Sequence, residues 1–302
     1  MNALKKLIYQ WISKQFMNGC SSYNSLAVRK SCRSKKQARA VFANGNVPHA
    51  KGEIFLNPLK AVQFAKKFGF PLVIKPNVSG FSRGSHFPIT DFKALWKAIF
   101  LAKLWWPTTV VEQYLEGNNY RVVVAQGKIM SVLQRYAPFV TGNGVDSIDT
   151  LIDIENKTRE QMGLYPCIHP LQKNQVTKNF LKKKHYTLDT IPANGEVVTL
   201  FYRISLAPGG VVRTIKKQTI PTVNQALFKD VLEMFDANIL GIDVIFEKGV
   251  ETDYRDQKCI FLEVNSRPYL KMHDYPRYGE KEDLSGYFDE LNELNITQTE
   301  IF

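Results

Sequence analysis

The chain has 302 residues, 44% of them hydrophobic and 12% aromatic, which is enough apolar material for a large folded core divided into two or three lobes. Its formal net charge of +12 raises the question of nucleic acid, yet the basic residues stand in small groups, chiefly Lys35-Lys36, Lys66-Lys67, Lys182-Lys183-Lys184 and Lys216-Lys217, with no arginine-rich arm. A field that draws anionic nucleotides and carboxylates accounts for the excess equally well, so no nucleic-acid partner is expected, and the isolated Cys20, Cys32, Cys167 and Cys259 exclude a zinc cage and fit a reducing, cytoplasmic compartment.

In chain order, Leu4, Leu7, Ile8, Trp11 and Ile12 recur at helical spacing among lysines. This segment is too short and too charged for a membrane span, and it reads as a helix docked on the body or on a partner subunit, a membrane-surface helix being the lesser alternative. Residues 17–34, rich in Ser, Asn and basic groups, read as a linker. Ala61, Phe64, Ala65 and Phe68 make a helix stripe, followed by the short strand Phe70 to Lys75. Phe92, Leu95, Trp96 and Ile99 predict another helix, and Thr109 to Gln113 another strand. Tyr120 to Ala125, the Gln126-Gly127 turn and Lys128 to Leu133 predict a β-hairpin. Helices are expected over 147–160 and 174–184, then a second hairpin from Val197 to Leu206 and Val211 to Lys217, closed by Pro208-Gly209-Gly210. Thr222 with Gln225 reads as a capping box opening a helix along Phe228, Val231, Leu232 and Phe235, and a last helix is expected near Leu284 to Leu294. Helices mixed with antiparallel hairpins indicate an α+β fold.

Two late strands carry the strongest chemical signal. Gly241 to Phe246 and Cys259 to Asn265 alternate so that Glu263 and Asn265 share one face while Ile260, Leu262 and Val264 take the other. Paired as a hairpin they bring Asp243 beside Glu263, and two carboxylates with an amide oxygen suit Mg²⁺ carrying nucleotide phosphates; an ordinary solvated sheet face is about as common a meaning for such a segment alone. Asn77 to Ser85, with Gly80 and Gly84, follows Lys75-Pro76 at a strand end, where main-chain N–H groups and a cation can meet phosphate. It lacks the Walker and dinucleotide patterns, and a two-glycine loop is more often a plain turn. Val110 to Gly117, a strand running into a polar turn, can offer backbone groups to an adenine edge with an acid beside them, or simply be a strand end and turn. Arg121, Arg135, Arg203 and Arg213 sit in expected strands where a guanidinium can grip a carboxylate or phosphate, about half of them being expected to pair structurally. His273, alone in its loop, reads as structural, and no His or Cys cluster suggests zinc.

The order of these segments, Lys75-Pro76, the glycine loop, Glu112 with its turn, Asp243 and Glu263-x-Asn265, resembles the ATP-grasp superfamily. More closely, Val111 to Val122, Gly142-Asn143-Gly144 with Ser147 to Ile152, and Tyr186 to Asp189 before Gly195-Glu196-Val197 are similar to the ATP-grasp portion of cyanophycin synthetase. Asn265 to Pro276, with its Met-His-x-x-Pro run, also resembles the glutathione synthetase module of bifunctional glutathione-making enzymes. The likeness runs from about Lys35 to Leu291. It implies an ATP-grasp fold, two α+β lobes gripping ATP behind a short N-terminal helical segment: residues 1–34 as helix and linker, 35–111 as the small lid subdomain, 112–302 as the large subdomain with the metal site. It implies an ADP-forming ligase that activates a carboxylate as an acylphosphate and joins it to an amine, with amino acids or peptides as substrates and a homo-oligomer or a partner ligase subunit as further company.

The resemblance further implies two Mg²⁺ ions, replaceable by Mn²⁺, on Asp243, Glu263 and Asn265, and ATP on Lys35, Lys75, Gly80, Gly84, Glu112 and Tyr114. The chain departs from the family where Arg267-Pro268-Tyr269 replaces a Pro-Gly and where Phe201 and Ser205 replace an Arg and an Asn. Arg203 and Arg267 are then the candidate catalytic arginines, Arg267 as a grip for substrate carboxylate. At this length there is room for neither the leading region nor the second ATPase domain of cyanophycin synthetase, so the chain is not expected to alternate two ligations by itself. The alternative is a non-catalytic nucleotide-binding subunit working with another ligase.

Overall fold

The computed structural model describes residues 7–8, 11, 23–33, 35–77 and 84–294, without the side chains of residues 33, 35 and 36. Leu7, Ile8 and Trp11 of the expected N-terminal helix are helical, while the rest of residues 1–22, Cys20 among them, and Gly80 fall outside the described part. In chain order the elements are helices α1 (Leu26–Arg33) and α2 (Lys35–Asn44), strand β1 (Gly52–Phe55), α3 (Pro58–Phe68), β2 (Leu72–Pro76), β3 (His86–Ile89), α4 (Phe92–Lys103), β4 (Thr109–Gln113), β5 (Asn118–Ala125), β6 (Lys128–Tyr136), β7 (Phe139–Thr141), α5 (Ile148–Gln161), α6 (Gln175–Lys183), β8 (Val197–Thr199), β9 (Val211–Thr214), α7 (Thr222–Met234), β10 (Ile239–Phe246), β11 (Cys259–Asn265) and α8 (Ser285–Asn292).

The smaller unit is an antiparallel sheet in the order β1-β4-β2-β3 with α3 and α4 on one face. Helix α3 starts where the Asn57 side chain accepts the Leu59 N–H at 3.0 Å and Pro58 opens the first turn; α4 starts where Asp91 accepts the Ala94 N–H at 2.8 Å. Alternation along the strands sends Leu72, Ile74 and Val111 into the helix-side core, which leaves Lys75 and Glu112 on the opposite face.

The larger unit is an antiparallel sheet in the order β11-β10-β5-β6-β9. Its β5–β6 hairpin turns through Gln126 and Gly127, both at positive φ, as a two-residue hairpin turn requires. One face packs Val122, Val132, Ile242, Val244 and Phe261 against α7 and against Val28, Cys32 and Phe42 of α1 and α2. Between β7 and β9, α5, α6 and the β7–β8 ribbon enclose a small core of their own around Ile148, Ile152, Leu181 and Val198. Two separately cored α+β lobes match the expected class.

Four details differ from the sequence reading. Residues 26–33 are helix, not linker: the buried Asn24 amide donates to Ile239 O and Ser266 O at 2.8 Å each, and Val28 and Cys32 enter the main core. The division at 111/112 cuts β4, and α2, which includes Lys35, packs with the larger unit through Ala38 and Phe42 rather than with the smaller. Val197–Thr199 pairs with β7 and Val211–Thr214 with β6, so the second hairpin does not form. Thr222 is the first helical residue of α7, not its cap; the Gln225 amide instead donates to Ile220 O at 2.8 Å.

Candidate functional site

Strand pairing assembles a first cluster of expected site residues. Asp243 stands directly opposite Glu263 on one side and Arg121 on the other, so β11, β10 and β5 align three charged side chains in one row. Asn265 lies one row along, opposite Gly241. The register shifts between Asp243 and Val244, and the extra residue, Leu262, resets the alternation. Cys259, Phe261 and Val264 therefore face the core, and Ile260 and Leu262 are only half-buried, contrary to the expected Ile260–Leu262–Val264 face.

Asp243 is 4% exposed. Its Oδ1 and Oδ2 accept from Arg121 Nε and Nη2 at 2.5 and 3.0 Å, and Arg135 Nη2 approaches Oδ1 at 3.3 Å. Burial by itself would raise this carboxyl, but the Arg121 and Arg135 guanidiniums outweigh it and hold Asp243 ionised, below the usual carboxylate range. Arg135 is oriented in turn by Asn119 Oδ1, which accepts from its Nε at 2.7 Å. Glu263 is exposed and Asn265 half-exposed. On the same face, beside Ser131, which stands opposite Val123 two residues along β5 from Arg121, the buried His273 ring meets Ser131 Oγ at 2.8 Å through Nδ1, and Nε2 has no partner. Burial, with Arg121 nearby, pushes His273 down to about 3, so it is a neutral structural histidine.

Among the described residues no group of three His, Cys, Asp or Glu side chains gathers as a metal cage. The donors present are two carboxylates in facing register and an amide, all hard oxygens, and a carboxylate has lone pairs enough for guanidiniums and a cation together. The set fits Mg²⁺.

A second cluster of expected site residues centres on Glu112, 6% exposed on β4, which pairs with both Arg39 of α2 and Lys75 of β2. Gly52 makes room for it: a Cβ there would lie 2.6 Å from Glu112 Cγ. Arg39 was not singled out from the sequence; one basic residue in an exposed-looking helix carries no mark of a partner 73 positions away. At the end of β4 and just past it, the Gln113 and Tyr114 N–H groups donate to Lys51 O and Pro71 O. The Tyr114 ring stacks on Phe87 at 6.0 Å. Gly84, at φ +70°, lies under Trp105, whose Cδ1 is 2.8 Å from where a Cβ would sit.

The arginines divide. Arg121 and Arg135 join Asp243, and Arg213 lies over the rings of Tyr136 and Tyr278. Arg203, between β8 and β9, lies over Phe201 and Tyr202 and, after burial, is a cause of the lowered His86 pKa in the smaller sheet. Arg267, half-buried just after Asn265, has its pKa lowered by burial. Tyr269 faces inward, its hydroxyl 3.8 Å from Cys167 Sγ.

No family model matches the chain. It is 28% identical over 291 residues to the cyanophycin synthetase of Crocosphaera subtropica, covering 92% of this chain and 32% of that protein. It is 26% identical over 266 residues to the glutathione biosynthesis bifunctional protein GshAB of Streptococcus agalactiae, covering 86% of this chain and 35% of that protein. The chain thus spans about a third of the length of the relatives it matches. Among solved structures, a bifunctional glutathione synthetase from Pasteurella multocida aligns with a TM-score of 0.66 at 21% identity, over 90% of this chain and 38% of that one. The ATP-grasp ligase PsnB, complexed with minimal precursor, Mg and ADP, aligns with a TM-score of 0.50 at 12% identity, over 87% of this chain and 59% of that one.

Proposed function

We propose that the chain is an ATP-grasp protein, a reading supported by its similarity to the two relatives and by its fold, and that it is an ADP-forming carboxylate–amine ligase acting on amino acids or a peptide. The observation that carries the reading is the facing pair Asp243 and Glu263 with Asn265 one row along. The unit on the four-stranded sheet acts as the lid and the five-stranded unit as the base.

In the proposed reaction, a substrate carboxylate oxygen bonds to the γ-phosphorus of ATP as ADP leaves. An amine nitrogen then bonds to the acyl carbon, phosphate departs and the amine gives up a proton. Such chemistry needs alignment and charge neutralisation more than a protein nucleophile. Asp243, Glu263 and Asn265 would hold two Mg²⁺ ions, or Mn²⁺ in their stead, which neutralise phosphate charge when bound. Arg121 and Arg135 keep Asp243 ionised for that task. Lys75, in reach of Glu112, turns to a phosphate while Arg39 retains Glu112, and Lys35 is assigned as a second phosphate lysine. The loop of Gly80 and Gly84 covers the phosphates and excludes water, and Tyr114 borders the base. Arg203 and Arg267 grip substrate carboxylate. Three buried free thiols, Cys32, Cys167 and Cys259, support a reducing, cytoplasmic setting.

Two observations favour a second reading. Both Asp243 oxygens face guanidiniums and Lys75 pairs with Glu112, which suits a non-catalytic nucleotide-binding subunit serving another ligase. Incubation with ATP, Mg²⁺ and pools of amino acids and dipeptides, followed by mass spectrometry, separates the two. A condensation product formed together with ADP supports the ligase. Nucleotide binding with no product from any pool supports the subunit, and failure to bind nucleotide overturns both.

A further inference from the structure

Helix α4 has two apolar faces. Leu95, Ala98, Ile99 and Ala102 pack on the smaller sheet. Phe92, Trp96, Phe100 and Leu104, spaced by four, form a second stripe, of which Trp96, Phe100 and Leu104 keep 47%, 65% and 69% of their surface exposed. A single exposed aromatic is ordinary, whereas a continuous line of large side chains marks a surface that something covers. The stripe lies on the side of the sheet away from Lys75 and Glu112, so an occupant there leaves the nucleotide side open.

Charge limits the occupant. Residues 58–70 and 92–107, the two helices and their exits, contain six lysines and neither Asp nor Glu. Lys93 and Lys97 are exposed beside the stripe, whereas Lys103 is turned inward to Leu56 O and Pro107 O. The nearest acids in sequence are committed, Glu53 to Lys60 and Asp91 to the α4 cap. A second copy docked face to face would set lysine against lysine. The chain's own first 16 residues, with Lys5, Lys6 and Lys14 and no acid, are no better matched. Exposed indole and phenyl rings among lysines suit an interface that is apolar below and anionic above, where lysine stems lie along the acyl boundary and their ammonium groups meet phosphate.

We propose that this outer face of the smaller lobe docks on the surface of an anionic lipid bilayer. Among the described residues no helix is long and apolar enough to cross a membrane. The proposal does not depend on the ligase reading.

The full chain should co-sediment with vesicles of phosphatidylcholine containing phosphatidylglycerol, weakly with phosphatidylcholine alone, and less as salt is raised. The double variant Trp96→Ala/Phe100→Ala should lower partitioning about tenfold or more on any vesicle. Lys93→Glu/Lys97→Glu should abolish the preference for phosphatidylglycerol. Both variants should keep wild-type thermal melting and nucleotide binding, which separates a docking defect from misfolding. No sedimentation with phosphatidylglycerol vesicles, or wild-type partitioning by both variants, overturns the proposal. So does a vesicle-independent dimer that the aromatic variant dissociates, or binding restricted to an acidic protein.

Discussion

Two buried carboxylates, each between two cations, are built in different ways. Asp243 draws Arg121 and Arg135 from strands of its own sheet, so its cluster lies within one packed unit. Glu112 takes Lys75 from its own sheet but Arg39 from α2, whose neighbours Ala38 and Phe42 belong to the other unit's core. The first cluster stabilises a lobe; the second ties two lobes together. Asp243→Asn should therefore be the most damaging single change, costing about 3–5 kcal/mol because two guanidiniums remain buried without their counter-charge. Urea unfolding followed on the larger unit measures it, and a loss under about 1 kcal/mol would contradict the burial argument.

Glu263→Gln removes charge from an exposed position whose carboxylate also faces Asp243, Arg121 and Arg135, so stability should change by about 1 kcal/mol or less. ATP-dependent phosphate release should instead fall by about a hundredfold, which a coupled ADP assay reads. Wild-type turnover in this variant would remove Glu263 from the cation-binding role. Glu112→Gln should cost less than the Asp243 change, about 1–3 kcal/mol, since Arg39 and Lys75, at 17% and 20% exposure, recover water more readily than the pair on Asp243, where Arg121 is only 9% and Arg135 15% exposed. Its sharper signature is separation of the lobes: proteolysis between β4 and β5 should accelerate more than global unfolding does.

The same contrast decided what the sequence disclosed. Asp243 opposite Glu263 was legible because strand alternation and two apolar strands adjacent in sequence, joined by a polar connection over residues 247–258, need only local information. The resemblance to ATP-grasp proteins was legible because the order of segments survives low identity. Leu262 as a bulge was not, since one extra residue leaves no mark in composition. The supposed hairpin around Pro208-Gly209-Gly210 failed for a related reason. Turn residues announce a reversal, but the partners of β8 and β9 are β7 and β6, chosen by packing across the sheets. Arg39 was missed because its partner is distant in sequence, and α1 because only Val28 and Cys32 mark a buried face in an otherwise basic, polar segment.

Mild acid should probe the Asp243 unit without touching its carboxylate. His273 is depressed to about 3 in the fold, against an ordinary value near 6.5, so below pH 6.5 the unfolded chain takes up a proton that the folded chain refuses. Stability then rises with pH across this window and is lost as pH falls from 6.5 toward 3, at about 1.4 kcal/mol per pH unit from this residue alone. His86, lowered by burial and by Arg203 and Lys97, adds a contribution of the same sign from the smaller sheet. Asp243 and Glu155 are depressed carboxylates whose contribution is lost only below their ordinary values of 3.8 and 4.5, outside the range between pH 6.5 and 5. His273→Asn, which keeps a polar group for Ser131, should flatten the pH dependence of urea unfolding there without abolishing it. An unchanged slope would mean that His273 is reached by solvent, and that the packing around it and Ser131 is more open than its burial indicates.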